Sequence, residues 1–130
     1  MKLALDTNTY RAFMDRAPAT VTAVREASEL HLPVPVLAEL RFGFAKGTKG
    51  KQNEAALLQF LDSPRVRVLV CDDLTTHFYA NLKLQLTRQG TPIPINDVWI
   101  AALVVQHGAT LHTLDRDFDT LPQLARLAAE

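Results

Sequence analysis

Cysteine is almost missing from this chain: Cys71 is the one thiol among 130 residues. A lone cysteine excludes an intrachain disulfide and every cysteine-based zinc site, and its simplest use is as a small buried hydrophobe at a strand end. Charge of one sign is not in excess either. Fourteen Lys and Arg stand against 14 Asp and Glu, for a formal net charge of zero. A strongly basic nucleic-acid binder is thereby excluded, and any contact with nucleic acid must rest on a local patch or on bound metal. No apolar run approaches the length that spans a bilayer. Met1 leads straight into a strand-like segment, without the basic and apolar regions of a signal peptide, so a cytoplasmic protein without membrane association is expected. Repeats, low-complexity tracts and interdomain linkers are absent, and residues 1–130 read as one domain. Apolar residues at 48% and charged residues at 22% make an ordinary globular composition with enough chain for a core.

Apolar spacing orders the elements. "KLAL" is a short strand running into Asp6, and Tyr10, Phe13 and Met14 follow at helical spacing. Pro18 suits the first turn of a helix carrying Val21, Val24 and Ala27. Leu30 to Val34 reads as a second strand, stopped by Pro33 and Pro35. A helix with Val36, Leu37, Leu40 and Phe44 on one face comes next, then a "KGTKGK" loop. The helix from about Asn53 to Leu61 turns Leu57, Leu58 and Leu61 inward. Val66 to Val70 is the clearest strand. Asp72 or Asp73 caps a long helix lined by Leu74, Phe78, Leu82 and Leu86, which Gly90 ends. After the stiff "TPIPI" connector, Asn96 is expected to cap an apolar helix over Val98 to Val105, closed by Gly108. "ATLHTLD" is a fourth strand, and the terminal "LPQLARLAAE" reads as helical or frayed. Strands alternating with helices predict an α/β domain around a mainly parallel sheet.

Four acids fall at element ends. Asp6 ends the first strand and Asp115 the last clear one, at the sheet edge where open parallel sheets bind ligands. Glu39 interrupts an apolar helix, and Asp97 opens another. Each has an ordinary explanation: a helix-start carboxylate for Asp97, a solvent face or a pair with Arg41 or Arg65 for Glu39, a side-chain turn for Asp115. Asp6 is the hardest to explain so, because it directly follows a buried strand. A cluster of such carboxylates repels itself unless a cation is present. Its oxygen-rich, histidine-free character points to Mg²⁺ or Mn²⁺. Such ions activate water and neutralise phosphate charge, so the pattern points to metal-dependent phosphodiester hydrolysis.

Other motifs fit less well. "LDTNTY" compares with phosphatases that open on a strand ending in Asp, but the places of their second Asp and of the following Thr or Val hold Asn8 and Tyr10. "DRDFD" begins like a calcium loop, yet Thr120 and Arg126 stand where Gly and Glu are required. His31, His77, His107 and His112 lack metal-ligand spacing and suit surface or core structural roles. Trp99 and Phe78 lie on apolar helical faces. Arg41, Lys46, Lys49 and Lys51 gather basic charge just after Glu39, as a solvated loop or as a contact to a phosphate backbone.

"LALDTNTY", "PVLAELRFGF", "INDVWIAALV" and "TLHTLDRDF", in that order and spacing, resemble PIN-domain ribonucleases, and more closely the VapC-type toxins of bacterial toxin–antitoxin pairs. The resemblance covers nearly the whole chain. It implies an α/β/α sandwich around a twisted, mainly parallel sheet flanked by helices. It also implies a Mg²⁺- or Mn²⁺-dependent endoribonuclease leaving a 5′-phosphate and a 3′-hydroxyl. Asp6, Glu39, Asp97 and Asp115 match the family's acidic quartet. Asp6, Asp97 and Asp115 would supply metal oxygens, and Glu39 would bind metal or orient the attacking water. Asn8 and Thr113 match accessory polar positions, and Asp117 is an extra acid. The implied partners are RNA, a cognate VapB-type antitoxin whose C-terminal segment covers or disrupts the site, and a second copy of the chain, with higher-order toxin–antitoxin assembly open. Two other readings remain at this point: a PIN-like binding module acting through its antitoxin or dimer interface, and a small metal-dependent phosphatase. Many relatives end on a further strand, so the edge of the sheet is left open.

Overall fold

The computed structural model describes residues 1–129. Five strands, β1 (Lys2–Leu5), β2 (Glu29–Pro33), β3 (Val66–Leu69), β4 (Thr110–Thr113) and β5 (Arg126–Ala128), form one sheet in the order β3-β2-β1-β4-β5. Every pairing is parallel, with Leu3 opposite both Leu30 and Thr110. Six helices flank it: α1 (Thr7–Met14), α2 (Pro18–Glu26), α3 (Val34–Lys46), α4 (Gly50–Leu61), α5 (Asp73–Gln89) and α6 (Ile95–Gln106). The strand order first runs outward from β1 to β3 and then returns past β1 to β4. Right-handed crossovers therefore place α1–α4 on one face and α5–α6 on the other. The change of direction leaves a crevice beyond the C-terminal ends of β1 and β4.

Burial on both faces explains the near-continuous apolar strands. Leu3, Ala4, Leu5, Leu32 and Leu111 have no exposed surface. Helix α6 is the most deeply set, with Val98 and Ile100 to Val104 all buried, and Trp99 at its edge stacks on Tyr79 of α5 with ring centroids 4.1 Å apart. Asp72 caps α5 through a reciprocal pair with Thr75. Gly90 ends that helix at φ +69°, a left-handed conformation that glycine adopts without a Cβ penalty.

Several local expectations are corrected. Among the described residues the C-terminal segment is neither helical nor frayed: Arg126–Ala128 forms β5, pairing Leu111↔Arg126 through Thr113↔Ala128, and Glu130 lies outside the described residues. Its leucines, three residues apart as on a helix, do not line one helical face: Leu121 and Leu124 enter the core before the strand starts, while Leu127 lies 37% exposed. Pro94, not Asn96, is the residue preceding α6, and no side chain caps that helix. The "KGTKGK" loop shrinks to three residues between α3 and α4. Leu58 and Leu74 face outward. Cys71 is exposed, because β3 ends at Leu69 and the chain has already left the sheet. Burial nonetheless pushes its thiol pKa up, with Asp72 adding to the effect.

Among the histidines, His31 and His112 are core residues and His77 is exposed. His112 hydrogen-bonds Thr20 Oγ1 at 3.0 Å and the Leu127 carbonyl at 3.0 Å, which ties α2 and β5 to β4.

Candidate active site

Asp6 is set by the turn that ends β1 and starts α1. Its Oδ1 accepts from the Thr9 backbone N–H at 2.9 Å, and its own N–H donates to Thr9 Oγ1 at 2.9 Å, a capping box. Its Oδ2 accepts from Thr113 Oγ1 at 2.5 Å, across the β1–β4 pair. Asp6 as a whole is 7% exposed, so these donors take over what water would supply. Thr113 Oγ1 in turn accepts from the Asp115 backbone N–H at 2.9 Å. Asp115 caps a short 3₁₀ turn (Arg116–Thr120) by accepting from the Asp117 N–H at 2.9 Å. Phe118, 1% exposed, pins that turn into the core.

Glu39 comes from α3 and Asp97 from the first turn of α6. A cleft of about 300 Å³ is lined by Asp6, Asn8, Glu39, Asp97 and Asp115, together with Thr7, Arg11, Phe42, Gly43, Lys46 and Ile100. The four acids foreseen from the sequence thus meet in one place. Asp117 adds a fifth: single carboxylate oxygens of Asp97, Asp115 and Asp117 lie within 4.8 Å of one another. The consequence is electrostatic. Burial, then the charges of Asp115, Glu39, Asp117 and Asp6, push the Asp97 carboxyl up to about 7. The pairs that would have made Glu39 ordinary are not formed. Arg41 instead makes a two-pronged ion pair with Glu54 of α4, at 2.9 and 3.1 Å. Arg65 donates to the carbonyls of Val24 and Ala27.

The basic patch separates accordingly. Lys46 lines the cleft, with its ammonium 4.5 Å from the centre of the Phe42 ring. Lys49 and Lys51 lie away from it, beside the α3–α4 connection, and Arg41 is held by Glu54. Sequence reading overlooked Thr7, Arg11 and Phe42. A periodicity signal was present, since Thr7 and Arg11 are four residues apart on α1, while Glu39, Phe42, Gly43 and Lys46 share one face of α3.

The donor set fits a hard divalent cation: clustered carboxylate oxygens, one of them strongly disfavoured as an anion, and Thr7 Oγ1, buried in the cleft wall without a hydrogen-bond partner.

The PIN-domain family model matches residues 3–124. The chain belongs to the PIN-domain family. Within it, relatives of this PIN domain include VapC proteins. It is 33% identical to VapC ribonuclease Y4jK of Sinorhizobium fredii over 87% of this chain and 86% of that protein. It is 30% identical to Ribonuclease VapC4 of Mycobacterium tuberculosis over 74% of each. With Ribonuclease VapC2 of Rickettsia felis the identity is 34%, over 68% of this chain and 66% of that protein. The crystal structure of VapBC2 from Rickettsia felis, bound to a promoter DNA fragment, superposes with a TM-score of 0.87 at 27% identity, covering all of both chains. VapBC-1 from nontypeable Haemophilus influenzae does so equally well, at 26% identity over 98% of each. The all-parallel five-stranded sheet with six flanking helices is the PIN fold of these structures.

Proposed function

We propose that this PIN domain is a divalent-metal-dependent endoribonuclease, the toxin of a toxin–antitoxin pair. The observation that carries the reading is the convergence of Asp6, Glu39, Asp97 and Asp115 on one cleft, at a charge density that has driven the Asp97 carboxyl up to about 7. Asp6, Asp97 and Asp115, with Asp117 and Glu39 alongside, would hold Mg²⁺ or Mn²⁺. A bound ion there supplies charge neutralisation at the phosphate and a more acidic water.

The protein's own part is positional. Thr9 and Thr113 hold both oxygens of Asp6, and the Asp117 N–H holds Asp115, so the acids meet without reorganising. Glu39, on the α3 side of the cleft, orients the attacking water and takes its proton. The water oxygen bonds to phosphorus, the bond from phosphorus to the 3′ oxygen breaks, and that oxygen takes up a proton. The products are a 5′-phosphate and a 3′-hydroxyl. Asn8 lines the same cleft as an accessory polar group. The VapC relatives and the VapBC crystal structures support a VapB-type antitoxin as partner and a cytoplasmic RNA as substrate. A second copy of the chain is part of the same proposal.

The test is direct. Purified protein should cleave RNA only with added Mg²⁺ or Mn²⁺, and Asp6→Asn or Asp97→Asn should abolish cleavage with the fold intact. Full activity in excess chelator, or in both variants, refutes catalysis at this site. Growth arrest that persists in Asp6→Asn cells would instead favour a module acting through binding alone.

A further inference from the structure

Two cations line the acidic cleft, and one of them, Arg11, forms no ion pair among the described residues despite facing four carboxylates. Its position is set by what lies opposite. Arg11 projects from α1 toward α3, where the facing residue is Gly43. A Cβ at Gly43 would stand 2.8 Å from Arg11 Nη2, closer than such atoms approach. Glycine inside a helix is less stable than alanine, and Gly43 lies within α3, so its lack of a side chain has a use. It opens a notch through which the guanidinium lies against the helix. Arg11 and Gly43 also line the neighbouring groove of about 560 Å³ between α1, α3 and α4, which makes them the saddle between groove and cleft.

We propose that Arg11, seated in the Gly43 notch, binds the RNA phosphate next to the one being cleaved and leads the strand out of the acidic cleft over this saddle. The inference rests on the ribonuclease reading and deepens it. Charge favours the role. The four cleft carboxylates and the adjoining Asp117 exceed Arg11 and Lys46 by three charges, and one divalent ion balances two of them. Without Arg11 the loaded cleft would carry one more negative charge and would repel a phosphodiester more strongly. Guanidinium is suited to the task, because its planar fork matches two phosphate oxygens. Lys46 is held over the Phe42 ring, whereas Arg11 has no ion-pair partner to give up among the described residues.

The experiment measures binding rather than turnover. A short fluorescein-labelled single-stranded RNA is titrated by anisotropy in Ca²⁺ buffer, at several salt concentrations, with recovered RNA checked for integrity. One phosphate contact to a single strand carries a salt slope of about 0.7, which at roughly 0.1 M salt is about 5-fold in affinity. Arg11→Ala should lose about that factor and flatten the salt slope by about 0.7, and Arg11→Lys should recover part of both. Gly43→Ala should weaken binding similarly while melting no lower than wild type, since the group it displaces is the far end of a flexible side chain. Adding Gly43→Ala to Arg11→Ala should cost nothing more, because both act on one contact. Wild-type affinity and salt slope in Arg11→Ala overturn the proposal, and so does an additive loss in the double variant. Metal-dependent cleavage in Asp97→Asn is followed in parallel. Its persistence, together with persistence in Asp6→Asn, would sink catalysis at this cleft whatever Arg11 does, and its loss beside unchanged Arg11→Ala binding would sink only the role given to Arg11.

Discussion

Replacing Asp97 by Asn tests the electrostatics of the cleft most sharply, because stability and activity should move in opposite directions. The Asp97 carboxyl is raised from an ordinary 3.8 to about 7 by burial and by Asp115, Glu39, Asp117 and Asp6. A folded-state pKa above the unfolded one means that the folded protein holds the proton more tightly. Folding is therefore favoured at acid pH, and metal-free stability falls as pH rises from about 4 to about 7. At about 1.36 kcal/mol per pH unit the whole interval is about 4 kcal/mol. The carboxylate is only half-buried, so water screens it, and roughly 1–2 kcal/mol is the better expectation. Asn has nearly the same shape and no charge to lose. Metal-free Asp97→Asn should therefore melt roughly 4–8 °C above wild type at pH 8, for a domain of this size, with the advantage reduced to about a third of that at pH 5, one unit into the interval. Adding Mg²⁺ or Mn²⁺ at pH 8 should raise the wild-type melting temperature and leave the variant's unchanged, since the ion stabilises only the form that binds it. Thermal melts at the two pH values, with and without metal, provide the measurement. A variant no more stable than wild type at pH 8, or an advantage equally large at pH 5, would refute the argument that crowded charge raises this carboxyl.

Three further outcomes are expected. Thr113→Val removes the donor to Asp6 Oδ2 and leaves a buried carboxylate short of one hydrogen bond, at about 1–3 kcal/mol of stability by chemical denaturation, and Ser at this position should restore most of it. Phe118→Ala empties a 1%-exposed site under the 3₁₀ turn and should cost about 3–5 kcal/mol. It should also weaken metal binding by calorimetry, because Asp115 and Asp117 flank the loosened turn. Ending the chain at Leu124 removes β5 and with it the Leu127 carbonyl that partners His112. Amide hydrogen exchange should then show β4 losing protection before β2.

The fold was legible wherever local pattern and burial agree. The apolar strands before Asp6 and Asp115 and the unbroken apolar run of α6 announced a parallel sheet, and a parallel sheet collects its loops at one edge. That is why four acids scattered over the chain could be grouped before any contact was known. What escaped depended on long-range geometry. The three residues of β5 carry no periodicity of their own and become a strand because β4 offers them an unpaired edge. Arg41 reads as a free cation until α4 brings Glu54 against it. Arg11 acquires its setting only where α3 presents Gly43 opposite. Asp117 was an extra acid by family resemblance alone, and the 3₁₀ turn is what carries its carboxylate to Asp97 and Asp115.

The capping of α1 by Asp6 has a kinetic consequence. One carboxylate is at once the lock on the first turn of a helix and the innermost acid of the cleft, with Thr9 and Thr113 gripping its two oxygens. The start of α1 cannot fray without releasing that acid, so any opening of this turn is also a momentary loss of the site. Slow-exchanging amides at Thr9 and Tyr10 would therefore time the lifetime of the assembled cleft, and whatever braces α1 from outside would lengthen it.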